Sequence, residues 1–463
     1  MLRERVPNLD GPMSEPSPDL ALHRRRQTVD RLTRPVQRFI ATEISGGLLL
    51  LLGLMVALAW ANSPWEDAYH RLLGHHLALD LGFWGIDEPL EFWVNDVLMT
   101  IFFFVVGLEI KREAVAGELA SLRHAIVPLA GAAGGMAVPA LLYLAIVRGG
   151  PGADGWGVPV ATDIAFALGV LMLAGSRVPF GLKVLLLGLA IADDVGGILI
   201  IAIFYSDGIA VGPLALAGGT LVLCVALRQS GIWYLPLYWV IGAVGWAATL
   251  ESGIHPTIFG VALGLLAPWQ SWRPQAGFIG RMRALVARVR EAYDPETQQA
   301  THEEQVAVSL AMADEAYAHV SPLDRLQKAL SPFSAYVIAP LFAFANAGIP
   351  VDPSTLGDAL RSPVAQGVFL GLVVGKPLGI VLAIRLAVTL GARLPAGVGW
   401  GSVVGVGAVA GIGFTVALFI AGLSFDNAAL LTDAKLGILG ASITAGVVGW
   451  LLLYLLDVPP REA

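Results

Sequence analysis

Apolar residues gather into twelve runs, near 44–61, 92–108, 124–147, 158–175, 182–204, 209–227, 234–249, 254–269, 333–349, 364–388, 399–423 and 434–456. A helix of ~20 residues spans the ~30 Å of bilayer hydrocarbon, and most of the runs approach that length. Polar segments separate them. Residues 1–38 are polar and carry Arg24, Arg25, Arg26, Arg31, Arg34 and Arg38. No apolar stretch precedes these arginines, so no secretory signal is expected; the segment reads as a basic cytoplasmic tail, with an interfacial helix near 28–40 as the alternative. A single transmembrane domain, 39–463, follows. Its 62–90 connection holds Leu77-Ala78-Leu79-Asp80-Leu81-Gly82-Phe83, whose alternation predicts a β-hairpin on the outer surface. Residues 270–332 form a long cytoplasmic loop between the eighth and ninth runs. There Phe278, Met282, Leu285, Val286 and Val289 recur at helical spacing among arginines, which predicts an amphipathic surface helix.

An even number of crossings puts both termini on one side. With the N-terminus in the cytoplasm, 24 of the 29 lysines and arginines fall on cytoplasmic segments. Four fall outside (Arg71, Arg148, Arg361 and Lys435), and one, Lys376, falls within a run. This asymmetry fixes the orientation and supports the count, since an error of one crossing would scramble every later segment.

Composition agrees. The chain is 56% hydrophobic and 14% charged, where soluble domains carry about 25% charged residues. The single cysteine, Cys224, excludes an intrachain disulfide and a cysteine-based metal site. No phosphate loop or dinucleotide fingerprint is present, so neither a cofactor nor a nucleic-acid partner is expected. The fold class is all-α and polytopic, with the bilayer as solvent.

An ionised side chain at mid-membrane is costly and therefore marks function. Asp163 lies in Pro159-Val160-Ala161-Thr162-Asp163-Ile164-Ala165-Phe166. Pro159 removes a backbone donor, so a helix break is expected, with Asp163 either capping it or belonging to an ion site. Asp193 and Asp194 are adjacent within an apolar run. Neighbouring helical residues point about 100° apart, so one is expected to face an ion path and the other a neighbouring helix. Two carboxylates side by side in a low dielectric repel, and at least one then takes up a proton readily. Lys376, followed by Pro377, should lie near a bend and needs an acidic partner or a helix C-terminus. It is either a structural counter-charge or a partner that releases a carboxylate when an ion binds. The run Gly401 to Gly413, ending Gly411-Ile412-Gly413-Phe414-Thr415, is either a close-packing surface or a second unwound segment. Its pairing with the Asp163 segment points to inverted repeats whose two interrupted helices cross at mid-membrane. Carboxylate oxygens suit sodium or lithium better than soft metals.

These residues, with the Leu341-Phe342-Ala343-Phe344-Ala345-Asn346-Ala347-Gly348 and Gly375-Lys376-Pro377-Leu378-Gly379 stretches, closely resemble the NhaA family of sodium/proton antiporters over residues 36–456. The resemblance implies an electrogenic, pH-regulated exchanger of the bacterial inner membrane that carries sodium or lithium against protons. It implies that Asp193 and Asp194 form the ion-binding pair and that Lys376 pairs with Asp193. It places Thr162 and Asp163 at the helix crossing, with Asp163 facing positive helix ends and Lys376 negative ones. A homodimer through the outer hairpin is also implied. Glu109, Arg112 and Glu113 match the cytoplasmic pH-sensing region, and His255 resembles a further position of that kind or is a polar residue at a helix end. The chain departs from the pattern at Gln327, where Glu is expected, and at Ser331, where His is expected, so the pH threshold is expected to differ. Such an exchanger is not an enzyme. An intramembrane aspartyl protease would not need Lys376, and an ion channel would show no proton counterflux.

Overall fold

A computed structural model describes residues 45–456, apart from 83, 176–177, 207, 233, 272–276 and 293–301. The basic tail and the alternative helix near 28–40 lie outside the described residues. In hydrocarbon every backbone N–H and C=O needs a partner within the chain, and helices satisfy this one segment at a time. Helix α1 covers Ser45–Ala61, and α2 covers Glu66–Leu73. Strands β1 (His76–Asp80) and β2 (Gly85–Pro89) form an antiparallel hairpin. Then come α3 (Leu90–Ala116), α4 (Leu122–Val147), a 3-10 helix (Ala153–Val160) and α5 (Ile164–Leu173). Helices α6 (Phe180–Phe204), α7 (Val211–Gln229), α8 (Leu235–Glu251) and α9 (Thr257–Leu265) follow. In the long loop lie α10 (Phe278–Ala292) and α11 (His302–His319). The chain ends with α12 (Pro322–Asn346), α13 (Pro353–Arg361), α14 (Pro363–Thr389), α15 (Trp400–Val409), α16 (Phe414–Ser424) and α17 (Ala428–Leu456).

Among the described residues seven of these helices are long and apolar enough to cross a membrane. Nine crossings result if each of two bent pairs counts as one: Ala153–Val160 with α5, bent by 43°, and α15 with α16, bent by 47°. The runs at 44–61, 234–249 and 254–269 fold as shorter helices. Pro256 sets the start of α9, and the chain turns away again before Pro268, which leaves that helix nine residues.

The hairpin expected from the alternation at 77–83 is present, with strands 76–80 and 85–89 paired antiparallel; β1 is exposed along its whole length, so its alternation sorts no buried face. Two expectations need correction. The ninth span was expected from 333, but its helix starts at Pro322. Ser321 caps it by accepting the Asp324 N–H at 3.1 Å, and proline suits the first turn; hydropathy alone overlooks such a polar start. Pro377 was expected to bend its helix, yet α14 runs on as one span. A wide π turn at Gly371–Gly375 contains Val373, the residue whose carbonyl the proline ring would strike. The π turn Ser334–Ile338 in α12 relieves Pro340 in the same way.

The long loop holds the amphipathic helix expected near 278–289 as α10, and α11 packs against it. The two are joined by an Arg281–Glu315 ion pair and by stacking of Phe278 on His319 at 4.0 Å. Helices α4 and α14 meet backbone to backbone: a Cβ on Gly134 would lie 2.2 Å from the Gly379 carbonyl oxygen. Small residues permit such approach, and dispersion contacts hold helices together where lipid supplies no hydrophobic drive. Helix α16 is buried at every position from Phe414 to Ala421. The broken spans therefore lie at the centre, while α7 and α8 present exposed leucines and valines at the periphery.

Candidate ion-binding site at the crossing of two broken helices

The first break follows from Pro159 and the extended backbone at Ala161 and Asp163. The second, Ala410 to Gly413, is shorter than the glycine run suggested, since Gly401–Val409 are helical. Here glycine serves close approach: a Cβ on Gly411 would lie 2.5 Å from the Leu372 carbonyl oxygen, and one on Gly413 2.9 Å from that of Ala161. The two unwound segments touch, because the Asp163 N–H donates to the Ile412 carbonyl at 2.6 Å.

Four helix ends meet at this point, and polar side chains sort themselves by the sign of those ends. Asp163 is 2% exposed. Its Oδ1 accepts the Phe166 N–H at 3.1 Å, in the first turn of α5. Its Oδ2 accepts the Thr415 N–H at 3.0 Å and the Thr415 hydroxyl at 2.7 Å, in the first turn of α16. One carboxylate thus bridges two positive helix ends. At the negative ends, Lys376 Nζ donates to the Val160 carbonyl, and Thr162 Oγ1 lies 2.9 Å from the Ala410 carbonyl oxygen.

Lys376 also reaches Asp193 Oδ2 at 2.7 Å, with both side chains fully buried. The Thr162 hydroxyl lies 2.7 Å from the same oxygen, while Asp193 Oδ1 is buried and makes no hydrogen bond among the described residues. Asp194, one step around α6, lines a cavity of about 60 Å³ together with Thr162, Asp163, Glu109, Ser331 and Ser334. That volume holds a few water molecules or a partly hydrated ion. The structure therefore brings Thr162, Asp163, Asp193, Asp194 and Lys376 together, and turns the two adjacent aspartates toward different partners.

Charge counting shows what the cluster can do. Three carboxylates against one ammonium leave two formal negative charges. The two positive helix ends on Asp163 and the two negative ends at Lys376 and Thr162, at roughly half a charge each, cancel. Two negative charges therefore remain, beside a cavity that Asp194 lines with Thr162 and Asp163. Protons or a small hard cation can offset them.

The other sequence-marked residues fall into two places. Glu109, Arg112 and Glu113 lie on α3, and Glu109 lines the cavity. Arg112 Nη1 donates to Gln327 Oε1 at 3.2 Å, so the amide at the position where Glu was expected meets this arginine. His255 is not brought to this group. Its Nε2 lies 3.3 Å from Asp96 Oδ1, and Asp96 precedes Glu109 by thirteen residues on α3, ~20 Å at helical rise. His255 Nδ1 lies 2.8 Å from Thr257 Oγ1, and its ring packs edge-on against Phe419 of α16.

Sequence reasoning passed over Asp96, Asn95 and Thr415. Asp96 lies within the run at 92–108, so the test applied to the other aspartates would have found it. Asn95 exchanges amide hydrogen bonds with Asn346 at 3.3 and 2.7 Å, a pairing without local signal. Thr415 was visible as a hydroxyl directly after the second break.

Comparison with known proteins gives a consistent result. The family model described as Na+/H+ antiporter 1 matches residues 37–453. The chain is 46% identical to the Na(+)/H(+) antiporter NhaA 2 of Sorangium cellulosum, over 93% of this chain and 91% of that protein. It is 44% identical to the Na(+)/H(+) antiporter NhaA of Oleidesulfovibrio alaskensis, over 93% and 96%. In fold it is similar to the sodium proton antiporter MjNhaP1 of Methanocaldococcus jannaschii, with a TM-score of 0.50, 11% identity, and 92% of this chain and 98% of that one covered.

Proposed function

The chain belongs to the Na+/H+ antiporter 1 family, and from that premise we propose that it expels sodium, and lithium likewise, in exchange for protons at the Asp193–Asp194 pair. The observation that carries this reading is the buried Lys376–Asp193 pair beside Asp194, which lines a cavity together with Thr162 and Asp163. Protons and sodium compete for the same oxygens. With Asp193 and Asp194 both protonated, Lys376 supplies the only positive charge among the three. With both ionised around one sodium ion, the three side chains and the ion sum to zero. One cycle then carries two protons in and one sodium out, a net inward movement of one positive charge, so membrane potential drives it along with the proton gradient. Leaving either carboxylate bare in low dielectric is costly, and this couples the two ions.

Asp163 and Thr415 hold the crossing together while the site alternates between faces. Lys376 stabilises ionised Asp193 when no sodium is bound and yields it when sodium arrives. Twelve crossings are reached by adding α1, α8 and α9 to the nine already counted, and the two broken spans fit inverted repeats. The membrane is the bacterial inner membrane, with both termini cytoplasmic as the arginine asymmetry requires. The exposed hairpin joins two copies. Control by pH resides in the Glu109–Arg112–Glu113 turn and its contact with Gln327, and separately at His255.

Sodium-induced proton movement in inverted membrane vesicles tests the proposal, for the native protein and for Asp194→Asn across a neutral-to-alkaline series. Exchange by the native protein and none by the variant is the expected result. Normal exchange by the variant would remove Asp194 from the site, and no sodium-dependent proton movement in the native protein at any pH would remove the function.

A further inference from the structure

The cavity beside Asp194 is walled on one side by α12, where Ser331, Ser334, Ala335 and Ala339 line it. Ser331 and Ser334 are three residues apart, so they are neighbours on a single helix face. Ser331 lies ~14 Å of helical rise beyond Pro322, and Ser334 ~18 Å. The two hydroxyls therefore stand on the way from the long loop to the crossing, with Glu109 of α3 lining the same cavity.

Hydroxyls inside the helices of this chain turn back on their own backbone. Thr249 donates to the Gly245 carbonyl, Ser424 to that of Ile420 and Thr444 to that of Gly440, each at 2.7 Å. Ser331 does not: its Oγ is buried and makes no hydrogen bond among the described residues. A buried hydroxyl without a partner is costly, so it calls for one in the space that it faces. Ser334 is 6% exposed and lines that same space. The threonines around the cavity are committed elsewhere. The Thr415 hydroxyl donates to Asp163 Oδ2, and the Thr162 hydroxyl lies 2.7 Å from Asp193 Oδ2.

We propose that Ser331 and Ser334 supply neutral oxygen ligands to the cation held at Asp194 and thereby set the preference between sodium and lithium. This rests on the reading of the cavity as the ion site. A hard cation gathers about six oxygens. Asp193 and Asp194 bring four, and one of those already meets Lys376 and Thr162. Hydroxyls extend the shell without adding charge, so the zero sum around the sodium-loaded site is kept. Selection between hard cations follows ligand number and cavity size. Lithium, the smaller ion, closes its shell with fewer oxygens, so losing a hydroxyl weakens sodium binding more.

Sodium-driven and lithium-driven proton movement in inverted vesicles, at one alkaline pH, gives KM and maximal rate for each ion. Ser331→Ala, Ser334→Ala and the double variant should raise the KM for sodium by roughly three- to tenfold per ligand lost. The KM for lithium should rise less, and the change should sit in KM rather than in the maximal rate. Ser334→Thr keeps a hydroxyl and should hold most of the sodium affinity. Ser442→Ala is the control, because the Ser442 Oγ is likewise buried without a hydrogen bond but does not line the cavity; its KM values should match the native ones. Thermal unfolding separates ligation from packing. Without either ion Ser331→Ala should melt no lower than the native protein, and the rise in melting temperature on adding sodium should shrink. An unchanged sodium KM in the double variant would overturn the proposal, as would equal rises for both ions or the same rise in Ser442→Ala. Native protein that moves no protons on adding sodium would overturn the reading of the site itself, and the proposal with it.

Discussion

Lys376 Nζ and Asp193 Oδ2 lie 2.7 Å apart with neither side chain reaching solvent, so each is the condition for the other's charge. Removing one partner of a buried pair leaves an uncompensated ion and costs about 3–5 kcal/mol, whereas replacing both with neutral groups costs far less. Lys376→Met should lower the melting temperature in detergent sharply, and Lys376→Met with Asp193→Asn should regain most of the loss. Additive effects in the double-mutant cycle would mean that the pair is not coupled.

Asp163 takes two N–H groups and a hydroxyl from opposite half-helices. In Asp163→Asn an amide nitrogen must replace one acceptor oxygen and face donors, at about 1–3 kcal/mol for each buried donor left without a partner. Thr415→Val keeps its N–H and loses only the hydroxyl, so its cost should be nearer 1 kcal/mol. Thermal unfolding of both variants checks the order, and a larger loss in Thr415→Val would contradict the geometry.

Close approach at the crossing gives a steric test. Gly411→Ala places a Cβ 2.5 Å from the Leu372 carbonyl oxygen, and relieving such a clash in a packed interior costs about 1–3 kcal/mol. Gly422→Ala is the control, because its Cβ would meet nothing within 4 Å. Both stability and sodium-driven proton movement should fall in the first variant and stay level in the second.

Gln327 holds Arg112 through a contact that does not titrate. Gln327→Glu would make an ion pair there. Arginine favours the ionised carboxylate, so the folded protein would bind that proton less tightly than the unfolded chain. The added stability is then present above the ordinary carboxylate range and lost as pH falls through it. A gain of up to about 1 kcal/mol is expected, because position 327 is buried and Arg112 only half-buried, read as a difference in melting temperature between neutral and acid pH. A pH-independent difference would show that the introduced carboxylate does not meet Arg112.

The sequence alone determined what depends on one residue and its immediate neighbours. Apolar runs marked most of the helices long enough to cross a membrane, because hydrocarbon acts on each segment separately. Pro159 and the Gly411–Gly413 stretch marked both breaks, since backbone rules are local. Asp163, Asp193, Asp194 and Lys376 stood out because a charge in hydrocarbon is costly whatever surrounds it. Only the tertiary structure decided who faces whom. A 100° step around α6 turns Asp193 to Lys376 and Thr162 and leaves Asp194 to the cavity. Asp96 meets His255, and Arg112 meets Gln327, across helices remote in sequence. The π turns that let Pro340 and Pro377 sit in unbroken spans, and the start of α12 at Pro322, were likewise decided by packing and capping. Hydropathy is a sum over a window, whereas a contact depends on the rotation and depth of two helices at once, and no window contains both.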